Sequence, residues 1–386
     1  MIRHIIFDVG YVLVDYTWKY KFREFGYDGE GIQRLAAGIF GGGVQGEALT
    51  LWQSYDNGNV TDEEVRADIL RRFPDDAPVL TWFFDDPASW CTVMHDLSDA
   101  IAPLKEKGYG VFLLSNYPDR LWQLHVAAQP FHALVDGEVV SYAEHLGKPD
   151  LRFYRRLLER YRLNAEECLF LDDRRDNTLA AESLGIQTLT LDSPDARRRA
   201  VETLAALPKL EQPCPVDWIE TADLLLSKGR LSDWRGMYEN VWSHAETARY
   251  MLWSVTTSEP DAIARMERTI RFQSEHDTYL VYEKHSLRPI GFAGLELLDA
   301  ESCGETGIAL GPAFVRRGYG KQIVQALCRR AKTVYGAKTF IYSAREKNMA
   351  SRALAASLGF QPFERETRLD ERNGELYTLI RYRLAL

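Results

Sequence analysis

Residues 4–9 read HIIFDV, a short apolar run that closes on the carboxylate of Asp8. The run is too short for a helix and reads as a buried strand. Similar runs recur at 110–115 (GVFLLS), 168–173 (CLFLDD) and 187–191 (QTLTL), with helical patterns between them. Strands alternating with helices predict a parallel α/β sheet. In an open sheet of that kind ligands bind outside the carboxyl ends of the strands, which is where Asp8 falls. The second and third runs end in Ser115–Asn116 and in Asp172–Asp173, with Asp176 just beyond, while GKPD sets Lys148 in a polar turn before a helix. A carboxylate, a hydroxyl, a lysine and further acids are the residue types that phosphoryl chemistry needs. The aromatic-rich stretch of about 16–98 is too long for a crossover and predicts an inserted helical cap.

The second half changes character. Helical patterns near 233–248 and 257–272 precede strand-like segments at 278–283, 289–297 and 305–310. A Gly-containing turn, a helix over about 318–334, a strand at 338–343, a helix over 347–358 and a last strand at 375–384 complete it. The segment ETGIALGPAFVRRGYGKQIVQAL joins a strand, a turn rich in backbone donors and a helix start. Free N–H groups with a helix dipole behind them suit a pyrophosphate. Between the halves, a short helix followed by PKLEQPCPVD reads as a linker.

The 386 residues are 46% hydrophobic and 27% charged, which excludes a largely disordered chain. The net charge of −9 is uneven: residues 1–215 carry 23 basic and 34 acidic side chains, and residues 216–386 carry 24 and 22. Neither half has the basic stripe of a nucleic-acid binder. No run approaches 18 apolar residues, so no membrane partner is expected. Cys91, Cys168, Cys214, Cys303 and Cys328 are scattered with no CxxC spacing, which predicts neither a zinc site nor a disulfide framework. Scattered thiols and the absence of a signal-peptide run predict a soluble cytoplasmic protein. His4 and His145 read as structural, Trp82–Phe83–Phe84 and Trp90 as cap packing, and Arg197–Arg199 as a solvated helix face.

Across roughly 1–192 the order, spacing and strand-end placement of the four motifs resemble the haloacid dehalogenase (HAD) superfamily. The resemblance implies a Rossmann-like parallel sheet with a helical cap and Mg²⁺-dependent phosphatase chemistry through an aspartyl-phosphate. It places the nucleophile on Asp8, the phosphoryl-binding hydroxyl on Ser115 and the cation on Lys148. The metal ligands fall on Asp8, the carbonyl of Gly10 and Asp173, with Asp172 and Asn177 in support. The family's second motif I aspartate, its general acid, is Gly10 here, so another proton donor or an easily departing substrate is implied.

Residues of about 228–386 resemble the GNAT acetyltransferases, in the branch of the ribosomal-protein alanine N-acetyltransferases. An α+β acyltransferase domain and acetyl-CoA as cosubstrate follow. The acetyl-CoA loop falls on Val315, Arg316, Arg317, Gly318, Tyr319 and Gly320, where Val315 departs from the usual Gln or Arg. Ile308, Leu310, Lys321 and Asn348 complete the expected CoA contacts. The usual acid tyrosine falls on Ala355, which leaves Ser351 as the substitute acid. Glu305 is the candidate base, with Glu296 behind it.

The expected protein is therefore a capped phosphatase-like domain (1–192), a linker (193–227) and an acetyltransferase domain (228–386). Its partners would be a small phosphorylated metabolite and an amine acceptor, either a small molecule or a peptide N-terminus. Two alternatives stand beside this bifunctional enzyme. In one, the first domain only senses a phospho-ligand and regulates the transferase; in the other, the pair loads an acyl unit onto a carrier protein.

Overall fold

The computed structural model describes residues 1–41, 49–214 and 217–386. Residues 42–48 of the expected cap and 215–216 of the expected linker lie outside the described residues. The chain forms two compact units, Met1–Val216 and Asp217–Leu386.

In the first unit five parallel strands stand in the order β5-β4-β1-β6-β7. They are β1 (His4–Phe7), β4 (Gly110–Ser115), β5 (Gly137–Val140), β6 (Cys168–Asp172) and β7 (Gln187–Thr190). Every residue of β4 and β6 is buried, as expected for strands covered on both faces. The central strand β1 ends one residue before Asp8. A two-stranded ribbon, β2 (Val14–Tyr16) with β3 (Cys91–Val93), brackets the inserted helices. The insertion holds helices Trp18–Glu24, Gly29–Phe40, Leu51–Asp56, Asp62–Arg72 and Ala77–Asp85. Thr50 and Thr61 start two of them with capping boxes, which satisfy otherwise unpaired N–H groups. Trp18, Phe22, Phe83 and Trp90 pack its interior, with Phe83 and Trp90 stacked at 4.7 Å.

The expected linker resolves differently. Helix Pro194–Ala206 packs Ala200 and Leu204 into the first core, while β8 (Trp218–Glu220) and β9 (Leu224–Ser227) belong to the second sheet. β8 is three residues long just beyond Pro213 and Pro215, and β9 only four, too short for a periodic pattern to show.

The second unit is an eight-stranded sheet ordered β14-β15-β13-β12-β11-β10-β9-β8. The remaining strands are β10 (Thr278–Glu283), β11 (Pro289–Asp299), β12 (Ser302–Leu310), β13 (Thr339–Arg345), β14 (Gln361–Asp370) and β15 (Glu375–Ala385). Every pairing is antiparallel except β12 with β13. That one parallel pair is in register only over Ser302–Gly304 and Thr339–Ile341, so the two strands part beyond Gly304. Helix Tyr319–Tyr335 covers one face through Ile323, Val324 and Leu327. Helix Glu259–Glu275, with Met237 and Trp242, covers a second apolar cluster. The pattern at 233–248 predicts one helix, but the chain there makes short helical turns broken by a π-helical turn at Tyr238–Trp242.

Candidate active sites

The carboxyl ends of β1, β4 and β6 bring the first set of expected residues together. Ser115 Oγ donates to Asp8 Oδ1 at 2.7 Å, and Lys148 Nζ reaches the same oxygen at 2.8 Å. Lys148 Nζ also meets Asp172 Oδ2 at 2.6 Å. Asp8 and Lys148 are 7% and 6% exposed and Asp172 is fully buried, so this charge cluster is held out of water. Burial pushes the Asp8 carboxyl up to about 7; Lys148 pulls it back, and Asp172 and Asp173 add to the rise. Burial also opposes the Lys148 charge, but the two carboxylates outweigh it and hold that pKa above its ordinary value.

Asp172 and Asp173 divide their roles by hydrogen bonding. The Asp172 carboxylate is filled by Lys148, Asn177 Nδ2 (3.0 and 3.1 Å) and the Arg174 N–H (2.8 Å). Asp173 has no hydrogen-bonded or ion-paired side-chain partner among the described residues, and burial followed by Asp172 raises its pKa. Carboxylate oxygens of Asp8, Asp172 and Asp173 lie within 4.8 Å of one another. Hard oxygens crowded together, with the Asp8 and Asp173 carboxyls held above their ordinary range, fit a hard divalent cation, which would reverse those two shifts. The oxygens left open are Oδ2 of Asp8, whose Oδ1 takes Ser115, Lys148 and the Val9 N–H, and those of Asp173, on the two carboxylates expected as ligands; Asp172 has its capacity spent on Lys148 and Asn177.

Gly10 lies in the tight turn after β1, where Tyr11 takes φ +56°. A Cβ built on Gly10 would lie 2.8 Å from the Tyr16 hydroxyl. The space of the missing acid is thus already occupied by the hydroxyl of half-buried Tyr16, whose pKa desolvation raises well above its ordinary value. Tyr16 is a functional-site residue that the sequence motif conceals, because it lies beyond the motif and returns only through the β2–β3 ribbon.

Further residues position the site. Asn116 Oδ1 accepts from the Lys148 N–H at 2.7 Å and its Nδ2 donates to the Lys148 carbonyl at 2.9 Å. His145 Nδ1 bonds the Asn57 carbonyl at 3.0 Å, and Ser141 Oγ donates to the Asp56 carbonyl. The end of cap helix Leu51–Asp56 is therefore docked on the loop that carries Lys148. Arg197 corrects the solvated-face expectation: it pairs with Asp96 and donates to the carbonyls of Tyr11 (3.0 Å) and Val12 (2.8 Å). It fastens the turn that holds Gly10.

In the second unit Glu305 stands where β12 and β13 part. Glu305 Oε2 accepts from the Gly307 N–H at 2.5 Å and its Oε1 from the Ser343 N–H at 3.3 Å. The carboxylate bridges the two diverging strands. Burial pushes its pKa up to about 7 against those two N–H donors, so the group titrates near neutrality. Glu296, placed opposite Gly304 on β11, is exposed. Ile308 and Leu310 follow on the free edge of β12, half-buried against the core.

Gly318 has φ +81° and caps helix Tyr319–Tyr335, while Arg316 has φ +62°. The first helical N–H groups, of Tyr319 and Gly320, have no intrahelical acceptor. Lys321 N is the first to close back, on the Gly318 carbonyl at 3.1 Å. Arg316 and Lys321 are exposed, whereas Arg317 and the Tyr319 hydroxyl both reach Glu283 at 3.4 Å. Asn348 Oδ1 accepts the Ser351 N–H at 3.1 Å and caps helix Met349–Ser357, which leaves its amide N–H₂ as the group available to CoA or water. Ser351 Oγ lies 2.8 Å from the Tyr342 hydroxyl. Tyr342 is the second residue that the sequence reading passes over. It stands beside Ser343 on β13, and its alternation with half-exposed neighbours reads as plain strand. Ala355 is 1% exposed, so that position is part of the core.

Residues 2–185 match the family model of the haloacid dehalogenase-like hydrolases. Residues 223–361 match the acetyltransferase (GNAT) domain model. Among curated proteins, the sesquiterpene phosphatase astK of Aspergillus oryzae is 31% identical over 99 residues, 25% of this chain and 48% of that protein. The chain spans less than half the length of the curated relatives it matches. Among solved structures, a GNAT-family acetyltransferase from Bacillus anthracis is 16% identical, over 44% of this chain and 98% of that one, at a TM-score of 0.39. A HAD family enzyme of Bacteroides thetaiotaomicron, in complex with magnesium and inorganic phosphate, is 22% identical. It covers 49% of this chain and 94% of that one, at a TM-score of 0.39.

Proposed function

Because the chain joins a haloacid dehalogenase-like hydrolase domain to a GNAT acetyltransferase domain, we propose that it is a bifunctional enzyme, a phosphomonoesterase and an N-acetyltransferase. The observation that carries the first activity is the convergence of Ser115 and Lys148 on one oxygen of Asp8. Asp8 attacks the phosphorus of a small phosphate ester, the P–O bond to the ester breaks and the leaving oxygen takes its proton from water, and a water molecule then cleaves the aspartyl-phosphate and restores the carboxylate. Ser115 and Lys148 hold the phosphoryl oxygens, and Asn116 fixes the lysine backbone. Mg²⁺ would be held by Asp8, Asp173 and the Gly10 carbonyl and would neutralise phosphate charge. With no carboxyl at position 10, the site favours esters whose alcohol departs easily.

The second activity is carried by Glu305, held between the Gly307 and Ser343 N–H groups at the parting of β12 and β13. The N–H groups at Gly318–Gly320 receive the CoA pyrophosphate. The acceptor nitrogen attacks the acetyl carbonyl and forms the amide while the C–S bond breaks. Glu305 takes the amine proton, and the Ser351–Tyr342 pair supplies one to the departing thiolate.

Two measurements test the pair. Phosphate release from a panel of sugar and prenyl phosphates with Mg²⁺ is expected for the wild type and falls at least about 10³-fold in Asp8→Asn; equal release by both overturns the phosphatase. Acetyl-CoA is expected to bind the wild type and not Gly318→Glu; equal binding overturns the transferase. A phospho-ligand that binds without turnover and changes the acetylation rate would favour the sensor alternative, which the glycine at position 10 supports.

A further inference from the structure

The second unit holds a cavity of about 620 Å³ that the chemistry above leaves without an occupant. It lies between helix Glu259–Glu275, the chain around Trp242 and Trp253, and strands β10–β12. Its wall includes Thr306 and Gly307, and the Gly307 N–H is one of the two that hold Glu305. The cavity and the acetyl-transfer residue thus share one stretch of backbone.

Its charge is unbalanced. Arg265 and Arg268 both line it, three residues apart on one helix and so on neighbouring positions of its surface. The Arg265 guanidinium lies between two indoles, 4.7 Å from Trp242 and 4.1 Å from Trp253. It donates to Thr256 Oγ1 at 3.0 Å, and neither arginine has an ion-pair partner among the described residues. Burial, followed by the Arg268 charge, pushes the Arg265 pKa down to about 10, which leaves it cationic at neutral pH. Asp261, the acid of the lining, is exposed and occupied by Ser258 Oγ at 2.6 Å. Two polar atoms of the same wall, Trp253 Nε1 and Thr278 Oγ1, are buried with no hydrogen-bond partner. Indole faces attract a cation without supplying a countercharge, and buried donors left unpaired are destabilising. A ligand that brings an anion and acceptor atoms would satisfy both. The volume is that of a small-molecule site, too small for a folded partner.

We propose that this cavity is the acceptor site, in which Arg265, reinforced by Arg268, binds the carboxylate or phosphate of a small amine whose apolar body packs on Trp253 and Phe292. The inference rests on the transferase reading and narrows its acceptor from amines in general to small anionic amines.

Trp242 and Trp253 flank Arg265, so tryptophan fluorescence of the full chain reads binding without acetyl-CoA. Leucine, phenylalanine and O-phosphoethanolamine are titrated against leucinamide, phenylalaninamide and ethanolamine, the first two pairs reporting carboxylate and the third phosphate. At least one anionic amine is expected to bind about tenfold more tightly than its neutral counterpart. Arg265→Gln removes that preference and raises the KM for that amine about tenfold, leaving the acetyl-CoA Kd within about twofold. Arg268→Gln, an exposed change that keeps the fold, shifts the preference the same way by about threefold. Equal binding of charged and neutral amines with acetyl-CoA still bound overturns this inference alone, as does a preference that survives in both arginine variants. An anion preference without acetyl-CoA binding overturns the transferase reading and the acceptor role with it.

Discussion

The two sites are built from different parts of the chain. Around Asp8 the contacts are between side chains: a hydroxyl, an ammonium and three carboxylates, gathered from three strand ends and one loop. Around Glu305 the groups that hold the carboxylate are backbone, two N–H donors on parting strands, and the proposed pyrophosphate contact is a helix start opened by a left-handed glycine. A side-chain site fixes residue identity, because every charge removed leaves a buried partner behind. A backbone site fixes conformation, and its residues vary as long as the strands part and the turn holds. On the proposed function, that is why Val315 is tolerable in the acetyl-CoA loop, while Gly10 in the first site would change the chemistry.

The largest effect that would test this contrast is at Lys148. Lys148→Met leaves Asp8 and Asp172 unneutralised and should destabilise the first unit by about 3–5 kcal/mol, read as a lower denaturation midpoint, and abolish phosphate release. Adding Asp8→Asn should recover part of that stability; no recovery would show that the pair does not hold the site together. Glu305→Gln should lower acetyl transfer by about 10²–10⁴-fold. In the wild type the rate should rise with pH and level off above about 7, where Glu305 is ionised, and the variant should lose that limb. The sign for stability is opposite: a carboxyl raised from 4.5 to about 7 stabilises the fold most below 4.5, and the contribution is lost as pH rises through 7. Glu305→Gln should show no such loss.

Smaller effects separate conformation from function. Gly318 and Gly336 open and close the same helix with φ +81° and +65°, and each has open space at its Cβ. Alanine at either should destabilise by about 1–2 kcal/mol, but only Gly318→Ala should weaken acetyl-CoA binding in titration calorimetry. An equal loss at both would show that helix stability, not the loop, governs affinity. The smallest change is expected from Gly10→Asp, whose Cβ meets the Tyr16 hydroxyl at 2.8 Å. Phosphate release should not rise above wild type; a rise would show that Tyr16 yields its place.

Much of this was legible along the chain. Strands that are buried on both faces, β1, β4 and β6, announce themselves as unbroken apolar runs, and the residues that close them are the proposed phosphoryl set. The five-residue spacing of Asp172 and Asn177 likewise shows in the sequence. Strand β14 did not show, because an edge strand with residues such as Glu364, Arg365, Glu366 and Arg368 carries no apolar alternation. Strand β5 is four residues with a glycine and a glutamate, β8 is three residues close to Pro215, and β9 is four.

What the sequence by itself determined was the two-unit plan, the strand-end acids and the glycine turn, since each is written in local periodicity or spacing. Tertiary structure alone decided that Asp172 is engaged while Asp173 is free, that Tyr16 fills the place of the missing acid, and that Arg197 fastens the turn around Gly10. It also placed Arg265 between two indoles without a countercharge. These depend on which groups meet across the fold, because a side chain's role is set by the partners left to it.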